Sequence, residues 1–172
     1  MGKQHFAKNE YQKALDYFLK AQITREEAGN DRLGGREVQV EYFVGLAYEA
    51  LKNRAKATAS FTKSSQESTR AVNVMSYYQG LSFVKLGKAD QAKKIFESLV
   101  SEADRQLKIT STEEWGVYFG AREDVNDRMS RLHTMRGLGY KGLGELQKAK
   151  ADLDKAVELS RSNIWAREEK VN

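Results

Sequence analysis

The chain contains no cysteine and no proline among its 172 residues. The absence of cysteine excludes disulfide bonds, thiol nucleophiles and metal sites with cysteine ligands. The absence of proline removes the main breaker of helices, so the turns must be made by residues such as glycine and asparagine. The absence of proline therefore favours a chain that is almost entirely helical.

Charge of one sign is not concentrated in any stretch of the sequence. The net charge is +5, but acidic and basic residues alternate, as in Arg167-Glu168-Glu169-Lys170. We therefore expect the basic residues to form a solvated face rather than a specific nucleic-acid-binding stripe. No apolar run approaches the roughly 20 residues of a membrane span. No N-terminal stretch has the pattern of a signal peptide, which slightly favours the cytoplasm.

Residues suited to catalysis are scarce. The chain has two histidines, His5 and His133, and no metal-binding spacing of histidine and glutamate. Residues 137–142 match the glycine string of dinucleotide-binding loops, but no strand is predicted before them. We therefore expect no enzymatic activity, no cofactor and no metal.

A pattern of small and large residues recurs four times along the chain. Each copy has a small residue, a large residue and a third residue at steps of four and three, which lie on one helix face. The copies are Ala14, Phe18 and Ala21; Ala57, Phe61 and Ser64; Ala92, Phe96 and Leu99; and Ala149, Leu153 and Ala156. A glycine and an aromatic residue precede the last three copies at a constant distance: Gly45 and Tyr48, Gly80 and Phe83, Gly137 and Tyr140. The pattern predicts pairs of closely packed short helices.

This arrangement resembles the tetratricopeptide repeat, in which a first helix carries the glycine and the aromatic residue and a second helix carries the alanines. The resemblance implies an all-α fold, a right-handed α-α superhelix of stacked hairpins, within a single domain. We expect repeats at about residues 1–28, 38–70, 73–104 and 130–162, followed by a C-terminal cap at 163–172.

The first repeat is incomplete in this register. Gly2 falls at the glycine position, so its first helix would begin before Met1. Half a hairpin would expose an apolar face at the end of a stack, and the chain is therefore expected to be a fragment of a longer protein. Residues 114–170 also resemble the helical tail of some large bacterial proteins, whose front portion is β-rich, resembles carbohydrate enzymes and has no assigned role.

An insertion precedes the last repeat. Ala149 lies 57 residues after Ala92, about 23 more than one repeat of roughly 34 residues. This insertion, at about residues 104–126, contains Trp115, Tyr118 and Phe119. Burial of each such side chain is worth about 1.5–3 kcal/mol, so we expect the segment to fold back on the stack. It would serve either in packing or as a lid that contacts a ligand or partner.

His133 and Arg136 occupy positions that are usually apolar in the family. A polar group inside a helix interface needs a partner. We expect both residues to pair with acidic residues at or near the insertion, among Asp104, Glu123, Asp124 and Asp127, unless they form part of a binding site.

The resemblance also implies a concave groove lined by the first helices of successive repeats. The residues expected to line it are Gln39, Tyr42, Leu46, Glu49, Val74, Tyr77, Leu81, Lys85, Arg131, Thr134, Leu138 and Lys141. Tyr42 and Tyr77 fall at equivalent positions and either grip an extended peptide or a sugar-like ligand, or pack on adjacent helices.

The sequence thus predicts a non-catalytic scaffold that uses this groove to bind another protein or a domain of the same longer chain. The alternative is an accessory module of a carbohydrate-active protein, with a small-ligand or glycan contact at the groove and the aromatic insertion. The oligomeric state does not follow from the sequence.

Overall fold

A computed structural model of the protein describes residues 1–28, 35–67, 69, 71–109 and 124–170. These residues form helices and turns without a strand, which confirms the all-α prediction. The helices are α1 (Gly2–Ala7), α2 (Tyr11–Ala28), α3 (Arg36–Ala50), α4 (Arg54–Gln66), α5 (Ser76–Lys85), α6 (Ala89–Leu107), α7 (Val125–Gly142), α8 (Leu146–Leu159) and α9 (Ile164–Glu168).

The chain forms two compact units, with a boundary inside α6. Unit 1 comprises Met1–Ala92 and unit 2 comprises Lys93–Asn172. In unit 1, α1 packs against α2, α3 packs against α2 and α4, and α5 packs against both α3 and α4. In unit 2, α7 and α8 form an extensive helical hairpin, and α9 packs against α8. Each unit is therefore built from consecutive helices that pack against one another.

The turn inside each hairpin has the same backbone conformation at the same repeat position. Asn9, Lys52, Gly87 and Gly144 have φ angles of 61°, 60°, 71° and 79°. This left-handed conformation ends a helix and is uncommon for residues other than glycine and asparagine. Lys52 adopts it too, so the geometry of the repeat overrides the preference of the residue. The same turn conformation thus recurs at the spacing of the apolar pattern.

In three of the four copies, the repeated glycine lies against the repeated large residue of the second helix. A Cβ atom built on Gly2 would lie 2.5 Å from the Phe18 ring, and one built on Gly45 would lie 2.5 Å from the Phe61 ring. In unit 2, a Cβ atom on Gly137 would lie 2.9 Å from Leu153. A side chain at these positions would push the paired helices apart.

The large residues of the four copies lie at a common depth. Phe18 is 8% exposed, Phe61 3%, Phe96 2% and Leu153 0%. The preceding alanines, Ala14, Ala57, Ala92 and Ala149, are 0–4% exposed. The predicted core face of the second helices is therefore confirmed.

The described ends of the insertion are tied to α7. The buried Arg128 donates hydrogen bonds from Nη2 to the carbonyl oxygens of Gln106 and Ile109, both at 3.2 Å. Asp124 caps α7 by accepting hydrogen bonds from the backbone of Asn126 and Asp127. Trp115, Tyr118 and Phe119 lie outside the described residues, so the roles predicted for them stay predictions.

Candidate interaction surface

In unit 1, the predicted groove positions of α3 and α5 are brought side by side. The Nζ atom of Lys85 lies 2.6 Å from Oε2 of Glu49, and their side chains are 34% and 48% exposed. The other predicted residues with accessible surface are Gln39, Tyr42, Leu46, Val74 and Leu81, all half-buried. The Glu49–Lys85 contact therefore brings accessible positions of two successive first helices next to each other.

Aromatic rings form the base of this surface. The ring centroid of Tyr42 lies 5.5 Å from Phe43, 6.0 Å from Phe61 and 5.7 Å from Tyr78. Tyr77 contacts Tyr78 edge to face at 5.5 Å and is only 4% exposed. The expectation that Tyr77 faces the groove is therefore wrong, since a ring this buried cannot reach a ligand.

Phe43 and Tyr78 were not among the predicted residues. The signal that identifies them is the repetition of two adjacent aromatic residues, Tyr42-Phe43 and Tyr77-Tyr78, at equivalent positions. On a helix, adjacent residues point about 100° apart, so the two rings of each pair contact different neighbours; both rings of Tyr77-Tyr78 are buried, and both rings of Tyr42-Phe43 are half-buried.

In unit 2, the predicted groove positions of α7 are largely covered. Thr134 is 1% exposed and Leu138 is 0% exposed, so the expectation that they contact a partner is wrong. Asn163 donates from Nδ2 to Thr134 Oγ1 at 2.9 Å, so the segment that leads into α9 covers Thr134. Leu138 lies between two glycines that approach other helices closely: Gly137 faces α8, and Gly139 faces Leu99 of α6.

The other two predicted residues of α7 keep some accessible surface. Arg131 is exposed. Lys141 donates from Nζ to both the carbonyl oxygen and the carboxylate of Glu169, each at 2.9 Å. The end of the described chain thus occupies a predicted groove position of the last repeat.

An ionic cluster joins α6, α7 and α8 inside unit 2. Arg136 donates two hydrogen bonds to the carboxylate of Asp152, at 2.8 Å from Nε and 2.7 Å from Nη2. Its Nη1 donates to Asp104 Oδ1 at 2.7 Å. His133 Nδ1 lies 2.8 Å from Asp152 Oδ1.

These contacts correct the predicted partners in part. Asp104 is one of the four acidic residues expected to pair with Arg136, but Asp152 of α8 is the shared partner of Arg136 and His133. Asp152 was missed because it lies beside Leu153 on an amphipathic helix, where a carboxylate is usually solvated. Its side chain is only 8% exposed.

The electrostatics favour the charged forms of Asp152 and Arg136. Burial alone raises the pKa of Asp152, but the hydrogen bonds from His133 and Arg136 outweigh burial and leave that pKa below the ordinary aspartate value. The hydrogen bond from Arg136 to Asp152 likewise raises the pKa of the Arg136 guanidinium. The cluster is therefore a satisfied ionic contact that holds three helices together.

Unit 1 contains a similar ionic contact with the charges exchanged: the acidic residue lies on α3 and the basic residue on α4. Glu41 is 3% exposed, and its Oε1 lies 2.5 Å from Nε2 of Gln22 on α2 and 2.6 Å from Nζ of Lys63 on α4. Glu41 and His133 each lie four residues before a repeat glycine. The same comparison that singled out His133 therefore also identifies Glu41, which the sequence analysis missed.

Two further observations limit the chemistry of the described part of the chain. Its histidine, aspartate and glutamate side chains do not form a group of three that could hold a metal ion. Across the same residues, no helix combines the length and apolar character needed to cross a membrane.

Comparisons with known proteins bear on the same helices. Residues 75–104 and residues 130–163 each match a family model described as tetratricopeptide repeat. The first match covers all of α5 and most of α6, and the second covers most of α7 and all of α8. No curated protein matches the chain significantly.

Three solved structures illustrate the range of similar chains. The MamA RS-1 ArsTM double mutant is 19% identical, with 96% of this chain and 74% of that chain covered and a TM-score of 0.35. The first TPR of Spaghetti (RPAP3), bound to the HSP90 peptide SRMEEVD, is 18% identical, with coverage of 81% and 92% and a TM-score of 0.33. The C-terminal part of a TPR repeat-containing protein from Cytophaga hutchinsonii is 15% identical, with coverage of 95% and 64% and a TM-score of 0.33.

The two family-model matches lie on the hairpins that the glycine and alanine register defines. Together with the all-helical fold, they show tetratricopeptide repeats in these two parts of the chain, and such repeats are generally protein–protein interaction modules.

Proposed function

We propose that this protein is a non-catalytic scaffold that binds an extended segment of another protein, or of another domain of the same longer chain, along α3 and α5. The observation that carries the proposal is the Glu49–Lys85 contact, which places the exposed positions of two successive first helices next to each other. A segment lying across this contact touches both α3 and α5.

The character of the surface supports a peptide ligand. Tyr42, Leu46 and Leu81 offer half-buried apolar area, and Tyr42 adds a hydroxyl group. Such amphipathic aromatic residues often carry much of the binding energy at protein interfaces. The Glu49–Lys85 pair is exposed and worth at most about 1 kcal/mol, so a partner can replace it with its own charges at little cost.

The proposal is tested with peptides selected on the intact chain from a random library of about twelve residues, the length that spans roughly 40 Å when extended. We expect Leu46→Ala combined with Tyr42→Ala to weaken binding of the selected peptides about tenfold or more, as measured by fluorescence anisotropy. Tyr17→Ala, an exposed aromatic residue on the second helix α2, is the matched control and should leave affinity unchanged.

Because Tyr42 also packs on Phe61, the double variant could lose binding through a folding defect, and a second variant tests for this. Glu49→Lys changes only an exposed side chain and places a cation beside Lys85. It should change the affinity for charged peptides while circular dichroism and melting stay as in the wild type. Selected peptides that bind both variants as tightly as the wild type would place the ligand elsewhere and refute the proposal.

A further inference from the structure

Basic residues from three separate stretches of sequence gather at one end of unit 1. They are Lys8, Lys52, Arg54, Lys56 and Lys88, which we call the basic edge. Each lies in a turn inside a hairpin or in the first helical turn that follows it: α1 to α2, α3 to α4, or α5 to α6. Because consecutive helices in a hairpin run antiparallel and α3 packs against α2, α4 and α5, these three turns lie at the same end of the unit.

The positive charge of the basic edge is not neutralised within the described part of the chain. All five side chains are exposed, and none of them forms an ion pair there. Two neighbouring carboxylates are engaged with other residues, Glu10 with Lys13 and Glu49 with Lys85. Asp90, in the first turn of α6, is a further acidic residue beside one of these turns. The basic edge therefore carries a clear excess of positive charge.

Aromatic and apolar groups flank these cations. Lys56 Nζ lies 5.3 Å from the ring centroid of Tyr48, and Lys88 Nζ lies 6.0 Å from that of Phe83. Contact with a ring face holds an ammonium group in place by cation–π attraction. Leu51, 37% exposed, precedes Lys52, and Val84, 53% exposed, lies in the last turn of α5. The edge thus offers cations together with small apolar contacts.

We propose that the basic edge is a second interaction surface, and that it binds an acidic polypeptide segment in which carboxylates alternate with apolar residues. This proposal rests on the proposed role as a protein scaffold and names a partner class for a surface separate from the groove. Helices pack about 8–10 Å apart, so an extended chain at about 3.3 Å per residue meets a new hairpin turn after every few residues. Charge complementarity identifies the ligand.

The same observations argue against nucleic acid. Single-stranded nucleic acid is bound by exposed aromatic faces on which bases stack. Here Tyr48 and Phe83 are half-buried, and a lysine lies over each ring. The exposed Leu51 and Val84 match apolar side chains of a peptide better than phosphates.

The test measures binding of a labelled peptide of about twelve residues, with glutamate at every third position and leucine and serine between. Its target is the full chain at about 0.05 M and 0.15 M salt, and an otherwise identical glutamine peptide is the ligand control. The edge variant combines Lys52→Asn, Arg54→Gln, Lys56→Gln and Lys88→Gln. Asparagine is used at position 52 because Lys52 has a φ of 60°, which asparagine tolerates.

A variant of unit 2 provides the matched control. It removes the same number of charges from exposed cations that form no ion pair in the described chain, through Lys94→Gln, Lys108→Gln, Arg161→Gln and Arg167→Gln. With roughly a twofold effect per exposed charge, the edge variant should bind the glutamate peptide about tenfold or more weakly. The control variant should stay within about twofold of the wild type.

The outcomes separate this inference from the proposed function. Equal losses in the edge and control variants would show a non-specific charge effect and overturn the inference. The inference would also be overturned if the glutamate peptide did not bind, while vesicles containing phosphatidylserine or a thymidine oligonucleotide bound to the wild type and not to the edge variant. Loss of glutamate-peptide binding in the combined Tyr42→Ala and Leu46→Ala variant but not in the edge variant would overturn the inference and leave the groove proposal standing.

Discussion

Replacement of Phe61 by alanine is expected to lower the free energy of unfolding by about 3–5 kcal/mol, which is typical of a buried phenylalanine. Phe61 is 3% exposed, its ring lies against Gly45, and it contacts Tyr42. Truncation leaves a cavity between α3 and α4 that neither helix can fill without moving. Chemical denaturation followed by circular dichroism measures the change.

Substitution of an exposed aromatic residue in the same unit shows how much stability is lost when any aromatic ring is removed. Tyr17 is 39% exposed and stacks on His5. Tyr17→Ala should therefore change stability by less than about 1 kcal/mol. A stability of Phe61→Ala equal to that of the wild type would show that α3 and α4 are not paired as described.

Replacement of Asp152 by alanine has the second largest expected effect. The change leaves Arg136 with Asp104 alone and removes the partner of His133. Removing one member of a buried ion pair costs about 3–5 kcal/mol, and we expect about 3 kcal/mol because Arg136 retains 25% exposure and a second carboxylate. Asp104→Ala, whose side chain is 40% exposed, should cost less than about 1 kcal/mol.

The same carboxylate gives the stability a dependence on pH. The pKa of Asp152 is lower in the folded protein than in the unfolded chain, so its contribution is fully present above the unfolded value of about 3.9. The contribution is lost as the pH falls through the folded pKa, because the proton then breaks the contact with Arg136. Asp152→Asn should therefore lose less stability between about pH 5 and pH 2 than the wild type. Parallel curves would contradict this assignment.

The architecture could be predicted from the sequence because it depends on residues that recur. Close packing of paired helices requires a small residue opposite a large one, so Gly45 and Phe61 reappear as Gly137 and Leu153. Such a pattern is visible in one sequence because every copy repeats the same physical requirement.

The details of the surface could be predicted less well, because they depend on residues that meet only once. The sequence predicts Thr134 as a groove residue, but in the structure Asn163, 29 positions later, donates a hydrogen bond to it. Its position on an amphipathic helix predicts that Asp152 is solvated, but in the structure Arg136 forms an ion pair with it. In the sequence, Lys8, Lys52 and Lys88 are far apart. The fold places the turns of three hairpins, which carry them, at one end of unit 1.

The most direct test of the repeat register is a double-mutant cycle between Gly45 and Phe61. In the wild type, Gly45→Ala should be destabilising, since its Cβ atom would lie 2.5 Å from the Phe61 ring and overpacking costs about 1–3 kcal/mol. In Phe61→Ala the ring is gone, and the same substitution should stabilise α3 by up to about 1 kcal/mol through helix propensity. A change of sign between the two backgrounds is the predicted result, and an equal effect of Gly45→Ala in both would contradict the register.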